Sequence, residues 1–167
     1  MNITPTMRTQ LSSLRELSDA KAQYEELHGW RTSVDVGHQR LVLPVGEEMD
    51  AVTMPLRLAE AAAVHLRIAM LAGPMMAAPG GQWLTFLTAP ATASRPDLPV
   101  ELRRARVQLV PRGGQVVIPT SSEAGHDLRV WRWVEPPQPR RALPPWPAVI
   151  AAARRAVSGD QLGGASS

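Results

Sequence analysis

Two stretches decide the fold class: residues 55–71, Pro-Leu-Arg-Leu-Ala-Glu-Ala-Ala-Ala-Val-His-Leu-Arg-Ile-Ala-Met-Leu, and residues 83–87, Trp-Leu-Thr-Phe-Leu. Their apolar residues follow different periods. In the first stretch an apolar residue recurs at every fourth position: Leu58, Ala62, Leu66 and Met70. This spacing predicts one face of a helix. The second stretch is a short apolar run after the turn sequence Pro79-Gly80-Gly81, which is typical of a strand. A helix followed closely by a strand indicates a domain that contains both.

The same signals extend in both directions from this pair. Further helices are predicted over residues 7–28, where Thr4 and Pro5 suit the start and Gly29 suits the end, near 99–104 and over 147–157. Further strands are predicted at 41–43, 107–110, 115–118 and 128–134. The Gly-containing connection 111–114 predicts that the strands on either side of it form a hairpin. We therefore expect one α+β domain over residues 1–157, with a mixed or antiparallel sheet flanked by helices, and a disordered tail over 158–167.

The composition excludes several classes of protein. The chain has 167 residues and no cysteine, so disulfides, thiolate metal sites and cysteine nucleophiles are absent. No apolar run approaches the roughly 18 residues that span a bilayer, and residues 1–10 lack the apolar segment of a signal peptide. We therefore expect a cytoplasmic protein that does not bind a membrane.

Charge is distributed unevenly along the chain. The net charge is +3, but residues 1–50 carry −3, residues 51–100 carry +1 and residues 101–167 carry +5. A positive C-terminal third permits contact with nucleic acid. All basic residues except Lys21 are arginine, which a GC-rich genome also produces, so composition alone does not establish such contact.

Two side-chain groups invite a functional interpretation beside an ordinary structural one. The carboxylates Glu47, Glu48 and Asp50 precede the helix at 55–71 and have the oxygen ligands that magnesium prefers, although a solvated acidic loop is the simpler interpretation. Trp131 and Trp133 are predicted to share a strand face near Arg129 and Arg132. Aromatic rings among arginines suit base stacking, whereas tryptophans more often fill a core.

The order of several segments resembles the N-terminal primase/polymerase (Prim-Pol) domain of the archaeo-eukaryotic primase superfamily, especially its short actinobacterial members, the bifunctional DNA primase/polymerases. The segments that carry the resemblance are 20–30 with its final Gly-Trp, 50–55, 80–86, 107–109 with 113–119, and 131–137 with Leu143-Pro144. The resemblance implies a role in DNA replication and a site that binds metal ions through carboxylates.

The chain departs from the family at the positions that carry its chemistry. Thr53 and Pro55 stand where the family has its acidic pair, Trp83 stands in place of its histidine, and Gln108 stands in place of its third acid. Two-metal nucleotidyl transfer needs carboxylates to hold two ions about 4 Å apart. The resemblance therefore implies a degenerate active site with no catalytic residues and no cofactor.

The leading hypothesis is a catalytically inactive Prim-Pol-like module that binds nucleic acid or regulates a partner. Six arginines are its candidate contacts to the phosphates of single-stranded or duplex nucleic acid: Arg103, Arg104, Arg106, Arg112, Arg129 and Arg132. One alternative is an active primase/polymerase in which Glu47, Glu48 and Asp50 hold magnesium or manganese. The other is a protein-binding scaffold that uses the N-terminal helix or the proline-rich segment 136–147.

Overall fold

Helices and strands alternate along the chain in the computed structural model, which describes residues 3–92 and 95–163. The helices in these ranges are α1 (Pro5–His28), α2 (Leu56–Ile68), α3 (Val100–Arg104) and α4 (Trp146–Gly163). The strands are β1 (Ser33–Asp35), β2 (Arg40–Pro44), β3 (Asp50–Pro55), β4 (Met75–Ala77), β5 (Trp83–Thr88), β6 (Gln108–Leu109), β7 (Gln115–Ile118) and β8 (Arg132–Glu135). The predicted α+β class is confirmed.

The strands form two sheets rather than the single sheet expected from the sequence. One sheet has three strands in the order β1-β2-β7, and the other has five in the order β6-β3-β5-β4-β8. All pairs of these strands are antiparallel. Helices α2 and α4 pack on one face of the five-stranded sheet. A second core lies between the two sheets and includes buried residues of α1.

The hairpin predicted around residues 111–114 is wrong. Strand β6 pairs with β3, whereas β7 pairs with β2 in the other sheet. The Val110 N–H still donates to the Ala51 carbonyl at 3.1 Å, but the Gly113 N–H donates to Val45 at 2.9 Å. Pro111 between them has no N–H with which to continue a ladder. The connection therefore carries the chain from one sheet to the other.

Several element boundaries also differ from the predicted ones. Helix α2 ends at Ile68 rather than at residue 71, because Met70 adopts a φ of +59° and closes the helix. Strand β8 begins at Arg132 rather than at residue 128. Helix α4 continues to Gly163, so residues 158–163 of the predicted disordered tail are helical, and residues 164–167 lie outside the described residues.

Helix α1 is anchored by the second half of its apolar stripe. Its start is confirmed by Thr4, whose hydroxyl accepts from the Met7 N–H at 3.3 Å, and its end by Gly29 with a φ of +68°. Tyr24 is buried; its hydroxyl donates to the Pro119 carbonyl at 2.7 Å and accepts from Trp133 Nε1 at 2.8 Å. Tyr24 thus joins α1 to both sheets.

Within the described residues no helix has the length and apolarity to cross a bilayer.

Candidate nucleic-acid interface

The positions that differ from the Prim-Pol pattern lie together on one face of the five-stranded sheet. Thr53 of β3 pairs with Thr85 of β5 on one side and with Gln108 of β6 on the other. The Thr53 and Thr85 hydroxyl oxygens are 2.8 Å apart, and Pro55 pairs with Trp83. Because directly paired residues and alternate residues of a strand share a face, all five side chains project from the same side. On this face, which we call the open face, Thr53, Pro55 and Trp83 are half-buried, Thr85 is buried and Gln108 is exposed.

Asp50 does not join this face. It is fully buried at the start of β3, an odd number of residues from Thr53, so it projects from the opposite side of the sheet. Its Oδ2 accepts from the Ala91 N–H at 2.7 Å and its Oδ1 accepts from Arg95 Nη1 at 3.0 Å. Arg112 lies 3.6 Å from the same carboxylate. Asp50 is therefore a structural anchor for the loop after β5.

The acidic residues considered as substitute metal ligands are not brought together. Glu47 and Glu48 are exposed, and Glu48 pairs with Arg31 at 3.3 Å, whereas Asp50 is buried among arginines. Residues 3–92 and 95–163 contain no group of three or more carboxylate or imidazole side chains suited to a metal ion. The open face itself presents hydroxyl and amide oxygens, which carry no charge. These residues do not fit a two-metal centre.

An arginine lies on the aromatic ring of the open face. The Arg106 guanidinium carbon is 4.9 Å from the ring centroid of Trp83. Arg106 follows α3 and adopts a φ of +67°, while the next residue, Val107, donates its N–H to the Leu102 carbonyl at 2.9 Å. This is the glycine-favouring position of a Schellman helix end. An arginine therefore occupies a backbone position that costs free energy, and its side chain caps Trp83.

A groove lined by an arginine and a tryptophan lies across the turn between β4 and β5. The Gly80 N–H of this turn donates to the Leu128 carbonyl at 2.7 Å, so the segment before β8 lies against it. Arg129 and half-buried Trp131 of this segment line a groove of about 430 Å³. The groove also contacts α1, the β1–β2 turn and the end of β7.

The Arg129 side chain is held by a neighbouring carboxylate. Its Nε and Nη2 donate to the two oxygens of Asp127, each at 3.0 Å. These hydrogen bonds lower the pKa of Asp127 and raise that of Arg129. Asp127 therefore neutralises one of the positive charges beside the groove.

The remaining candidate arginines differ in their surroundings. Arg103 and Arg104 are exposed on α3, and Arg104 lines a groove with Pro55 and Arg57. Arg132 is half-buried; it donates to the Gly125 carbonyl at 3.3 Å, while its buried Nε has no hydrogen-bond partner within residues 3–92 and 95–163. Arg112 donates to the carbonyls of Ala91 and Thr92. It therefore serves the anchor around Asp50 and lies apart from the open face.

The five tryptophans divide into core and surface residues. Trp30, Trp133 and Trp146 are buried, so the core-packing interpretation is confirmed for these three. The shared strand face predicted for Trp131 and Trp133 is wrong, because Trp131 precedes β8 and Trp133 packs between the sheets. Only Trp83 and Trp131 remain accessible.

Two residues of this region were missed by the sequence-based prediction. Thr85 lies opposite Thr53, and its position two residues after Trp83 on the same strand is the signal that places it on the face. Arg57 has no comparable signal, because its proximity to Arg104 arises from the packing of both α2 and α3 against α4. Comparison with protein-family models, with curated proteins and with solved structures gives no match.

Proposed function

We propose that this chain is a non-catalytic, Prim-Pol-like module that binds single-stranded nucleic acid on the face that carries Thr53, Trp83 and Gln108. The observation that carries the proposal is the Arg106 guanidinium 4.9 Å from the centre of the accessible Trp83 ring. Base stacking on an aromatic ring contributes about 1–3 kcal/mol per base, and a guanidinium beside it contacts the adjacent phosphate.

Arginines around the face offer contacts to the phosphates of a nucleic acid. Arg57 and Arg104 line the groove that begins at Pro55 together with the acids Glu101 and Asp160. Glu101 is itself paired with Arg154 at 3.3 Å, and Arg129 lies beyond the β4–β5 turn. Neutralising phosphates with such side chains releases counterions, so binding should weaken as salt rises. We propose a cytoplasmic location, which gives access to nucleic acid.

The neutral oxygens of Thr53 and Gln108 support a binding role without nucleotidyl transfer. The competing proposal, an active primase/polymerase, requires carboxylates at this face, and Asp50 projects from the other side of the sheet. We expect no nucleotide incorporation with magnesium or with manganese. Primer synthesis that is lost in Asp50→Asn but retained in a control of equal stability would overturn this part of the proposal.

Arg106→Gly is the sharpest test of the interface. Glycine relieves the strain of a φ of +67°, so the variant stays folded while it loses the guanidinium over Trp83. We expect the affinity for a labelled oligothymidylate, measured by fluorescence anisotropy at low salt, to fall about five- to tenfold, which corresponds to about 1 kcal/mol.

Met70→Gly is the matched control for this variant. Met70 has a φ of +59° and also closes a helix, with the Leu71 N–H donating to the Leu66 carbonyl at 2.8 Å, but its side chain is exposed just after the end of α2. It should bind the oligonucleotide like the unmodified chain. Absence of binding at low salt, or equal binding by both glycine variants, would contradict the proposal.

A protein-binding scaffold is the second candidate function, and the exposed start of α1 favours it. Met7 and Leu11 are 55% and 54% exposed although they continue the apolar stripe that Leu17 buries. A partner protein that is retained after nuclease treatment, and lost on Met7→Gln/Leu11→Gln, would favour this function over nucleic-acid binding.

A further inference from the structure

A separate cavity lies at the other end of the five-stranded sheet from Trp83. It has a volume of about 90 Å³, and its walls come from the end of α1, from residues 72–74 before β4 and from residues 135–143 after β8. It shares no lining residue with the groove at Pro55 or with the groove at Arg129. Its contents are therefore independent of the interface proposed above.

The floor and one wall of this cavity are rigid. The Trp30 ring stacks on Tyr24, with centroids 5.9 Å apart and planes within 7°. The His28 ring lies beside both, with its centroid 5.0 Å from Trp30 and 6.1 Å from Tyr24. Gly73 packs so closely on Pro144 that a Cβ at Gly73 would lie 2.4 Å from the proline Cδ. A cavity between fixed walls keeps its shape when a small ligand enters.

Two arginines, Arg140 and Arg141, line the cavity together with one acid, Glu135, which pairs with Arg67 at 3.6 Å. His28 also lines it, and burial lowers the pKa of its imidazole. Arg141 donates to Gln138 Oε1 at 3.2 Å. Among the described residues Arg140 has no ion pair or hydrogen bond from its side chain, so its guanidinium is available to a ligand.

The backbone at Arg140 provides a second, independent observation. The Arg141 N–H donates to the Gln138 carbonyl at 3.3 Å, which closes a turn with Pro139 and Arg140 at its centre. Arg140 adopts a φ of +62°. A turn with a positive φ at its third position favours glycine or asparagine there. The fold therefore holds Arg140 at the rim of the cavity in a backbone conformation that costs free energy.

We propose that this cavity binds a phosphate group, with Arg140 as its principal ligand and Arg141 and His28 beside it. The cavity has room for a tetrahedral oxyanion beside these side chains. A guanidinium presents two parallel N–H groups to two oxygens of such an anion. The phosphate comes either from inorganic phosphate or from the terminal phosphate of a nucleotide.

Thermal unfolding of the full chain in inorganic phosphate, against chloride of equal ionic strength, tests the proposal. We expect phosphate to raise the Tm of the unmodified chain, because a ligand that binds only the folded state stabilises it. Arg140→Gly removes the guanidinium and relieves the turn, so this variant should fold normally and lose at least tenfold in phosphate affinity by calorimetric titration. Met70→Gly, which relieves the same kind of strain away from the cavity, should bind phosphate like the unmodified chain.

The source of the phosphate is resolved by a parallel titration with a nucleoside monophosphate and its nucleoside. Equal affinity for phosphate and monophosphate supports free phosphate, and tighter binding of the monophosphate supports a nucleotide end. An unchanged Tm in phosphate, or unchanged affinity in Arg140→Gly, overturns the proposal. Neither result bears on the interface at Trp83, which Arg106→Gly tests separately.

Discussion

The Asp50 carboxylate is the most completely enclosed charge among the described residues. It accepts from the backbone of Ala91 and pairs with Arg95, while Arg112 lies close by. Removing one partner of a buried ion pair leaves the other charge uncompensated, at a cost of about 3–5 kcal/mol. An anchor of this kind accounts for an acidic residue at this position without a metal-binding role.

We predict that Asp50→Asn lowers the free energy of unfolding by about 3 kcal/mol, because Arg95 then lacks its counter-charge. Urea-induced unfolding measures this loss. Asp97→Asn is the matched control, since Asp97 is exposed, and should change stability by less than about 0.5 kcal/mol. Equal stability of both variants would show that Asp50 is not an anchor.

Ionisation of Tyr24 limits the stability of the folded protein at alkaline pH. Burial raises the pKa of Tyr24 to about 12, and the hydrogen bond from Trp133 lowers it only in part. The folded state thus favours the neutral phenol, so stability is fully present below pH 10 and falls as the pH approaches 12. The loss amounts to about 3 kcal/mol.

Unfolding of Tyr24→Phe between pH 9 and 12 checks this prediction. We expect the variant to be less stable than the unmodified chain at pH 8, by about 1–3 kcal/mol, because Trp133 Nε1–H loses its acceptor. Its stability should then show a smaller decline above pH 10. The same decline in both proteins would assign the alkaline effect to other groups.

Helix α1 shows how one element divides into two parts. Its C-terminal half buries Leu17, Ala20 and Tyr24, whereas Met7 and Leu11 remain exposed. Leu17→Ala should destabilise the fold by about 2–5 kcal/mol. Met7→Gln/Leu11→Gln should cost less than about 1 kcal/mol for the pair. Urea unfolding compares the variants, and a large cost for the pair would mean that the first turns are covered in solution.

The segment before β8 suggests a second prediction at this scale. Asp127→Asn removes the carboxylate that holds Arg129 beside the groove. We expect tighter binding of the oligothymidylate and a steeper salt dependence, by about 0.7 in the logarithmic slope for one additional phosphate contact on a single strand. Anisotropy titrations at several salt concentrations measure both. Glu123→Gln, at an exposed acid with no ion pair in the described residues, is the control.

At the scale of the whole molecule, the two sheets explain which sequence-based expectations hold. Thr4, Pro5 and Gly29 mark the limits of α1 because capping is a local interaction. The strands at 41–43, 83–87 and 115–118 are likewise predicted from local patterns. Local patterns do not predict which strands pair, because the partners lie far apart in the chain. Val52 pairs with Leu109 and Leu43 pairs with Val116, in each case more than fifty residues away.

In the candidate interface, too, the sequence identifies residues but not the contacts between them. The sequence places Thr53, Trp83 and Gln108 on separate segments, and their common face depends on the register that pairs β3 with β5 and β6. Asp50 appeared equivalent to Glu47 and Glu48 because all three are acids in one loop. Burial separates them: one carboxylate lies among arginines and the others lie in solvent.

By itself the sequence determined the α+β class, most of the helices and strands, the absence of cysteine chemistry and the excess of arginine in the C-terminal third. These properties follow from periodicity, capping and composition, which act over a few residues. Only the tertiary structure decided that there are two sheets, that Asp50 faces inward and that Arg106 lies on Trp83. The physical reason is that burial and strand register depend on contacts between distant segments, whose free energies no local pattern records.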